Sequence, residues 1–525
     1  MTSPQDHIAE LLTLFGHSWA CTAELLCDQH PADAVAFTVI EPDLAFEDLT
    51  YGQLRDRSAR LATALASLGV GHGDRVATLM GKSAELVIAT LAIWRLGAVQ
   101  VPLFTALAPP AIAERLTSSG TTVVVTEAAQ RFKLDQIGPV PLVVTTGMAS
   151  GNDFSFHAML SAAPQPVPVS VGGDGIIVEL YTSGTTGAPK GVTVPLRAVA
   201  SMRAYQLYGL DHHESDVYWN AADPGWAYGL YHAIIGPLAL GRRSLLLHSG
   251  FSPELTCAVL DRFEVTNFTA GPTVYRALRE TGGKTSAPLS HCSSAGEPLP
   301  PDVSVWAERA LGAPIRDHYG QTELGMVAAN GWHADVAAEL RPGSMGRALP
   351  GWRLAVLRSD VDEPAPAGSP GRLAVELAGS PLMWFTGYRG LPGRFTSDGR
   401  WYVTGDTAVR DEDGFLSFAS RDDDVILMAG YRIGPHEVEN VLLGHDCVAE
   451  AAVVGAPDAL RGEVLVAYVV LRPGYRPSHT LVTELQNLVK TGFAAHAYPR
   501  EVHFLAELPR TSSGKLQRSA LRRSR

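Results

Sequence analysis

The stretch Tyr181-Thr-Ser-Gly-Thr-Thr-Gly-Ala-Pro-Lys190-Gly191 decides how this chain folds and what it binds. It follows Gly175-Ile-Ile-Val-Glu-Leu-Tyr181, an apolar run rich in β-branched residues that is typical of a buried strand. The stretch itself combines glycines, hydroxyl side chains and a lysine, and little of it suits a hydrophobic core. Glycine lets backbone N–H groups approach an anion, hydroxyls add donors, and lysine adds charge. The pattern therefore predicts a loop that binds nucleotide phosphates at the edge of a sheet.

The loop is not a Walker A motif, because that motif has a glycine directly before Lys-Ser/Thr. Here Pro189 precedes Lys190, and Gly191 follows it. A phosphate-binding loop of another class is indicated. An ordinary surface loop of the same composition is the alternative, and other segments of the chain have to decide between the two.

Length, composition and charge narrow the class of protein. A chain of 525 residues is too long for one core, so we expect two or more domains. The apolar fraction of 46% and charged fraction of 18% are typical of a globular enzyme. The formal net charge of −12 argues against nucleic acid or an anionic membrane as the main partner.

Cysteine spacing and the N-terminal sequence bear on the compartment. The five cysteines show no CxxC pair and no metal-ligand spacing, so we expect reduced structural thiols. The N-terminal residues lack the basic region and apolar stretch of a signal peptide, and no apolar run has membrane-spanning length. We expect a cytoplasmic protein with no membrane span.

The order of periodic segments predicts an α/β fold. Helical and strand patterns alternate over residues 54–146, which indicates a parallel sheet covered by helices: helices at 54–68 and 84–96, strands at 75–80, 99–103 and 121–126. Helical and strand patterns alternate again over residues 253–320, with strands predicted at 265–269 and 314–319 that end in polar residues. Residues 343–420 change to short strands with turn residues, which predicts a small antiparallel, barrel-like sheet.

The charged run Arg421-Asp-Asp-Asp424 marks a domain boundary, because four charged residues in succession cannot be buried together. We therefore expect a large N-terminal domain at 1–420, a hinge at 421–424 and a small α+β C-terminal domain at 425–525. The large domain would hold the parallel sheets and the antiparallel sheet.

Five further segments carry groups suited to nucleotide chemistry, and they follow the loop in a fixed order. They are Gly296-Glu-Pro298, Asp317-His-Tyr-Gly-Gln-Thr-Glu323, Tyr402-Val-Thr-Gly-Asp406, Arg421 and Pro509-Arg-Thr-Ser-Ser-Gly-Lys515. Together with the loop they resemble the acyl-adenylate-forming superfamily, over roughly residues 30–525. Asp223-Pro-Gly-Trp226 and Tyr498-Pro-Arg-Glu-Val-His-Phe504 are most similar to bacterial AMP-forming acyl-CoA synthetases of the medium-chain and aromatic-acid branch.

The resemblance implies that ATP and a carboxylic acid form acyl-AMP and pyrophosphate, with Mg²⁺ present, and that coenzyme A then displaces AMP. It implies phosphate contacts from Thr182, Ser183, Gly184, Thr185, Thr186 and Lys190. It places Gly296, Glu297, Pro298 and Tyr319 around the adenine, with Asp317, Gln321 and Arg432 also in the nucleotide site. Thr322 would contact the α-phosphate, Glu323 would hold Mg²⁺, and Asp406 and Arg421 would bind the ribose.

The same resemblance implies a mobile C-terminal domain. Lys515 would be the catalytic residue, because it would compensate the charge that develops between the acid and the α-phosphate. The domain would then turn about Asp423 and bring Ala429 and Gly430 to the site. Gly430 and Gly271 would line the tunnel for the pantetheine of coenzyme A. Ser420 departs from the glycine usual before the family's arginine.

The acyl pocket is expected at Trp226, Ala227, Tyr228, Ala295 and Gly320. Acetyl-CoA synthetases carry tryptophan at the position of Gly320, so the glycine predicts an indole-sized space and an acid larger than acetate or propionate. No lysine or arginine stands at these positions, which disfavours a dicarboxylic acid.

Two alternatives stay open at this point. The enzyme could pass its acyl group to a carrier-protein phosphopantetheine or to a separate thiolation enzyme. The chain could instead be a non-catalytic nucleotide or acyl sensor on the same fold, although its intact Lys190, Glu323 and Lys515 disfavour that reading.

Overall fold

The computed structural model describes residues 3–138, 141–164, 167–182, 189–421, 424, 426–428, 431–458, 462–492, 497–510 and 516–523. The chain divides into two compact units. The first comprises Met1–Arg353 and Leu377–Gly393, and the second comprises Leu354–Glu376 and Arg394–Arg525. The hinge expected at 421–424 and the domain limits on either side of it stay predictions.

The described residues form strands β1 (Val35–Ile40), β2 (Phe46–Thr50), β3 (Arg75–Leu79), β4 (Val99–Leu103), β5 (Val123–Thr126), β6 (Leu142–Thr145), β7 (Phe154–Ser155), β8 (Ile176–Thr182), β9 (Lys190–Pro195), β10 (Tyr218–Asn220), β11 (Ser244–Leu247), β12 (Asn267–Ala270), β13 (His291–Ala295), β14 (Ile315–Gln321), β15 (Gly325–Ala329), β16 (Arg347–Ala348), β17 (Leu354–Leu357), β18 (Pro370–Glu376), β19 (Gly387–Tyr388), β20 (Leu391–Pro392), β21 (Trp401–Arg410), β22 (Leu416–Arg421), β23 (Ile426–Met428), β24 (Tyr431–Ile433), β25 (Val448–Asp458), β26 (Gly462–Leu471) and β27 (Glu501–Leu505).

The helices of the same residues are α1 (Pro4–Gly16), α2 (Tyr51–Ser67), α3 (Ala84–Arg95), α4 (Pro109–Ser119), α5 (Arg131–Leu134), α6 (Phe156–Met159), α7 (Val199–Ala204), α8 (Ala227–Gly229), α9 (Gly236–Leu240), α10 (Pro253–Arg262), α11 (Pro272–Glu280), α12 (Pro301–Ala310), α13 (Pro435–Leu443), α14 (His479–Gly492) and α15 (Arg518–Arg523). Three segments are wound as π-helix: Glu24–Asp28, Tyr205–Gly209 and Leu230–Ile235.

The first unit is built on two nine-stranded sheets. One has the order β20-β19-β9-β8-β4-β3-β5-β6-β7, and the other has the order β16-β15-β14-β13-β12-β10-β11-β1-β2. Their central strands are parallel, as the alternation of helices and strands predicts. The edge strands β2, β16 and β20 pair antiparallel with their neighbours, whereas the edge strand β7 is parallel to β6. Strands β8 and β9 are also antiparallel, because residues 183–189 between them are too few for a parallel crossover.

Local sequence explains the helices of this unit. Thr50 and Gln53 form a capping box at the start of α2, and each satisfies a backbone N–H that the helix leaves unpaired. Helix α3 is buried on all sides from Leu86 to Arg95, which fits its almost continuous apolar sequence. Trp94 of this helix donates its indole N–H to the carbonyl of Ile177 at 2.9 Å. That bond ties α3 to the strand that leads to the loop.

The second unit holds two antiparallel sheets. Strands β17-β18-β21-β22 form the four-stranded sheet predicted at 343–420. Strands β24-β23-β26-β25 form the other sheet, and β27 adds to β26 in parallel. Helices α13, α14 and α15 contribute Val438, Leu485 and Leu521 to the core of this α+β part.

The α/β fold class is confirmed, and most predicted elements lie where the pattern places them. The boundaries shift by up to three residues: the helix predicted at 54–68 runs from Tyr51 to Ser67, and the strand predicted at 265–269 runs from Asn267 to Ala270. All five cysteines are free, and four of them are buried. Among the described residues, no helix has the length and apolar character needed to cross a membrane.

Glu179 on β8 is the most shielded charge next to the loop. Its side chain is 0% exposed, and its carboxylate accepts hydrogen bonds from Nη1 of Arg389 (2.8 and 2.9 Å) and from the hydroxyl of Tyr181 (2.6 Å). Nε of Arg75 on β3 lies 3.3 Å away. These partners fix β8 between elements on both sides of it.

Replacement of Glu179 by alanine should lower the free energy of unfolding by about 3 kcal/mol, because Arg389 and Arg75 would lose a buried counter-charge. Reversible urea unfolding followed by tryptophan fluorescence measures this change. Glu47→Ala is the matched control, since its pair with Arg57 is largely exposed and should contribute less than about 1 kcal/mol. An equal loss in both variants would contradict the role given to Glu179.

Candidate active site

The β8–β9 hairpin holds the two ends of the phosphate loop. Thr182 and Lys190 are register partners, and the Thr182 hydroxyl donates to the Lys190 carbonyl at 3.5 Å. The loop positions Ser183, Gly184, Thr185 and Thr186 lie outside the described residues, so their phosphate contacts stay predictions. The hairpin nevertheless delivers Lys190 to the strand end, as the sequence predicts.

Lys190 and Glu323, which are far apart in sequence, meet at Tyr388. The ammonium nitrogen of Lys190 lies 5.1 Å from the centre of the Tyr388 ring, within the range of a cation–π contact. The Tyr388 hydroxyl donates to Oε1 of Glu323 at 2.8 Å. One aromatic side chain therefore contacts both the lysine that is expected to bind phosphate and the carboxylate that is expected to hold a metal.

The environment of Glu323 fits Mg²⁺. The residue is only 9% exposed, and the hydrogen bond from Tyr388 occupies one carboxylate oxygen. In the described part of the chain, no three His, Cys, Asp or Glu side chains cluster as a set of metal ligands. Mg²⁺ is commonly held by one or two carboxylates together with substrate phosphates, so a lone carboxylate beside a phosphate loop suits it.

Thr322, next to Glu323, is anchored through its backbone. The hydroxyl of buried Tyr231 donates to the Thr322 carbonyl at 3.0 Å. Burial, followed by the nearby Glu323 charge, raises the pKa of Tyr231 well above its usual range, so this hydroxyl keeps its proton. The anchor fixes the segment that is expected to face the α-phosphate.

The residues expected around the adenine lie at the ends of neighbouring parallel strands. Strand β13 ends at Ala295, which pairs with His318 of β14, so Gly296 and Tyr319 follow at the same sheet edge. Gly296 has a φ of +95°, a conformation that favours glycine at this turn. Glu297 accepts hydrogen bonds from Thr273 and Arg276 (2.8–3.0 Å), which hold the turn, and Pro298 follows it.

Asp317 and Gln321 are both on β14. Burial raises the pKa of Asp317 well above its usual range. Its Oδ1 atom has no hydrogen-bond partner in the described chain. A contact between these two side chains and the nucleotide stays a prediction.

The residues expected at the ribose belong to the second unit. Asp406 on β21 and Arg421 on β22 are register partners, and Nε of Arg421 lies 3.7 Å from Oδ1 of Asp406. Asp406 is buried, whereas Arg421 is about half exposed. Arg432 lies on β24 opposite Leu427. Asp423, Ala429, Gly430 and Lys515 lie outside the described residues, and their roles stay predictions.

The residues expected in the acyl pocket belong to two segments of the first unit. Trp226, Ala227 and Tyr228 are consecutive and partly exposed at the start of α8, with the Trp226 ring 5.2 Å from that of Phe104. Ala295 is buried at the end of β13. A Cβ added to Gly271, the expected tunnel glycine, would have the Ala295 carbonyl oxygen as its nearest neighbour at 3.9 Å. Gly271 thus borders open space beside one pocket residue.

Gly320 does not provide the space expected of it. A Cβ there would collide with the carbonyl oxygen of Gly325 and lie 2.7 Å from the sulfur of Met326. The β14–β15 pairing shifts register at this point, so the glycine accommodates a bulge between the strands. The inference of an indole-sized space at Gly320 is therefore wrong. A tryptophan at this position would disturb the β14–β15 backbone.

Tyr388 is the site residue that sequence reasoning missed. It lies in a two-residue strand between glycines and prolines, where a tyrosine carries no distinctive signal. Its role follows from the pairing of Tyr388 with Val192 on β9, which places it beside the lysine strand.

The chain matches two family models. Residues 24–388 match the model of the AMP-binding enzymes, and residues 437–515 match the C-terminal domain of these enzymes. A curated relative from Bacillus subtilis, named acetyl-coenzyme A synthetase, is 35% identical over 91% of this chain and 85% of its own length.

Solved structures agree with these matches. An acyl-CoA synthetase from Brucella canis is 42% identical, with a TM-score of 0.78 over 98% of this chain and 97% of that chain. A benzoate CoA ligase from Burkholderia xenovorans is 28% identical, with a TM-score of 0.81 over 98% of this chain and 99% of that chain. The chain belongs to the family of AMP-binding enzymes. Within that family it is an AMP-forming acid–CoA ligase, which uses ATP to make acyl-CoA.

Replacement of Tyr388 by phenylalanine should raise the KM for ATP in the presence of Mg²⁺ by about tenfold, because the charge-assisted hydrogen bond to Glu323 would be lost. The Mg²⁺ concentration for half-maximal adenylation should rise as well, because Glu323 would be less firmly oriented. Pyrophosphate release at varied ATP and Mg²⁺ measures both quantities.

Tyr475→Phe is the control for this variant, since Tyr475 is exposed on the second unit. Thermal unfolding checks that both variants keep the fold. A Tyr388→Phe enzyme with unchanged ATP and Mg²⁺ dependence would show that Tyr388 does not position Glu323.

Proposed function

We propose that this enzyme activates a carboxylic acid larger than acetate or propionate through acyl-AMP and then transfers the acyl group to coenzyme A. The observation that carries the adenylation step is the contact set Lys190–Tyr388–Glu323 at the end of the loop hairpin. It combines a cation for phosphate with a carboxylate for Mg²⁺, as adenylation of an acid requires.

In the first step, a carboxylate oxygen of the acid attacks the α-phosphorus of ATP, and the bond to the β-phosphate oxygen breaks. Lys190 and the hydroxyls of residues 182–186 would bind the departing pyrophosphate. Glu323 would hold Mg²⁺, which supplies positive charge to the phosphate oxygens. Asp406 and Arg421 would bind the ribose, and Lys515 would compensate the charge between the acid and the α-phosphate.

In the second step, the thiolate of coenzyme A attacks the acyl carbon, and AMP leaves with the electrons of the broken C–O bond. We propose that the domain after the hinge turns about Asp423 between the two steps. Lys515 would then leave the site, and Ala429 and Gly430 would face Gly271 across the pantetheine tunnel. An added Cβ at Gly271 would have only the Ala295 carbonyl oxygen within 4 Å, and this sparse surrounding supports the proposed place of Gly271 on the tunnel wall.

The proposed size of the acid rests on the small side chains of Ala227 and Ala295, which would leave room beside Trp226 and Tyr228. It no longer rests on Gly320, whose Cβ position is occupied by neighbouring backbone. Relatives and neighbours carry names that include both acetyl-CoA synthetase and benzoate CoA ligase, so acetate belongs in any substrate screen. A cytoplasmic location stays a prediction.

A panel of acids should decide the substrate class. We expect acids of five or more carbons, or with a ring, to exceed acetate in kcat/KM by about tenfold, because burial of each added methylene favours the larger acid. Pyrophosphate release with ATP and coenzyme A measures this ratio. If acetate is the best substrate, the proposed acid size is wrong. If acyl-AMP accumulates with coenzyme A but is consumed by a carrier-protein phosphopantetheine, the proposed acceptor is wrong.

Lys515→Ala should abolish adenylation from the free acid and spare thioester formation from supplied acyl-AMP. The reason is that charge compensation is needed only while the acid attacks phosphorus. Pyrophosphate release and consumption of acyl-AMP measure the two half-reactions separately. Lys490→Ala is the matched control, because Lys490 is a partly exposed lysine of α14 that is not among the predicted site residues. Equal loss of both half-reactions would contradict the assigned role of Lys515.

A further inference from the structure

A chain of buried hydroxyl and imidazole groups ends at Tyr228 in the first unit. The Tyr205 hydroxyl lies 2.7 Å from Nδ1 of His318 and 3.1 Å from the Tyr228 hydroxyl. Tyr205 and His318 are almost completely buried, with 1% and 2% exposure. Tyr228 is partly exposed. Tyr228 is thus the member of this chain of hydrogen-bonded side chains that has exposed surface, and a ligand could reach the chain at this residue.

The Tyr228 hydroxyl keeps an unused hydrogen-bonding group in either direction of donation along this series of side chains. A hydroxyl has one proton, so Tyr205 donates to one neighbour and accepts from the other. If Tyr205 donates to His318, the Tyr228 oxygen retains a lone pair; if Tyr205 donates to Tyr228, the Tyr228 proton stays available. No described side chain other than Tyr205 hydrogen-bonds to the Tyr228 hydroxyl.

Two neutral histidines beside the chain also have unused hydrogen-bonding atoms. Both ring nitrogens of fully buried His232 and Nε2 of His318 have no partner in the described chain. Burial lowers the pKa of each histidine to about 3, so each ring carries one N–H and one lone pair near neutral pH. The His232 ring centre lies 5.3 Å from that of Tyr228 and 4.4 Å from that of Tyr205.

Buried polar atoms are normally hydrogen-bonded, so several unpaired ones around one hydroxyl indicate a partner that the protein itself does not supply. The local backbone supports this reading. Tyr205 and His232 lie in the π-helical segments Tyr205–Gly209 and Leu230–Ile235, and interruptions of this kind are frequent at functional sites. Both segments present side chains to the same polar cluster.

We infer that the acid activated by this enzyme carries a hydroxyl or amino group, and that Tyr228 recognises it by a hydrogen bond. The inference rests on the proposed function, since it takes Tyr228 as part of the acyl pocket. A hydroxyl or amino group both donates and accepts, so it satisfies Tyr228 in either polarity. A methyl group on the acid at the same position would leave the Tyr228 hydroxyl without this hydrogen bond.

The experiment compares hydroxy, amino and methyl versions of each acid skeleton that wild-type enzyme accepts. The acids are the ring isomers of hydroxy-, amino- and methylbenzoate, and aliphatic acids that carry a hydroxyl or a methyl at each carbon up to C6. We expect at least one hydroxy or amino acid to exceed its methyl counterpart in kcat/KM by about tenfold or more, because a site that hydrogen-bonds a substituent rejects its apolar replacement.

The variant Tyr228→Phe should reduce this preference about tenfold, measured as the ratio of kcat/KM for the two acids, because phenylalanine cannot hydrogen-bond the substituent. Tyr205→Phe should weaken the preference as well, since it cuts the chain behind Tyr228. Tyr208→Phe is the matched control from the same π-helical segment, because its hydroxyl contacts His7 instead of the cluster. That variant should keep the wild-type preference.

The possible results test the substituent preference, the assignment to Tyr228 and the proposed function separately. Wild-type enzyme that accepts acids without preferring any hydroxy or amino version would overturn the inference, whether or not the variants fold. A preference that survives in Tyr228→Phe would overturn the assignment to Tyr228. If none of the acids, acetate included, yields AMP and a thioester, the proposed function itself fails.

Discussion

The buried carboxylate of Glu179 is the constraint on which the loop strand depends. A charge with no exposure is tolerated only when opposite charges and hydrogen-bond donors surround it. Arg75 on β3, Arg389 after β19 and Tyr181 on β8 itself supply them. These partners come from both sides of β8, so the carboxylate is satisfied only when the whole sheet is in register. The strand end that holds Thr182 and Lys190 is fixed by the same requirement.

Two consecutive residues, Tyr388 and Arg389, connect the Glu179 ion pair with the candidate active site. Arg389 binds Glu179, and its backbone N–H donates to the Gly191 carbonyl at 2.8 Å. Successive side chains of an extended segment point to opposite sides, so Tyr388 contacts Glu323 while the Arg389 guanidinium contacts the buried Glu179. The structural ion pair thereby determines where the tyrosine ring lies relative to Lys190.

Sequence reasoning succeeded where local pattern determines structure. The helices at α2 and α3 and the parallel strands follow from periodicity and caps, and the Asp406–Arg421 pair was found because two motifs carry it. Tyr388 was missed because its importance comes from strand pairing with β9, which no local pattern encodes. The prediction for Gly320 was wrong because the reason for a glycine at a given position depends on the atoms that surround its Cβ position. At Gly320 these atoms include the carbonyl of Gly325, which only the tertiary structure shows.

The absence of free volume beside Gly320 changes which residues could determine the substrate specificity for the acid. A pocket that selects by volume discriminates weakly, since one methylene alters the ratio of kcat/KM by about 10- to 200-fold, whereas a pocket that hydrogen-bonds a substituent rejects its absence far more strongly. With no added volume at Gly320, the proposed size discrimination would depend on Ala227, Ala295 and the neighbouring aromatic rings. With Tyr228 in the acyl pocket, the hydroxyl chain from His318 to Tyr228 would provide the stronger means of selection, because a hydroxyl or amino substituent hydrogen-bonds Tyr228 and a methyl group does not.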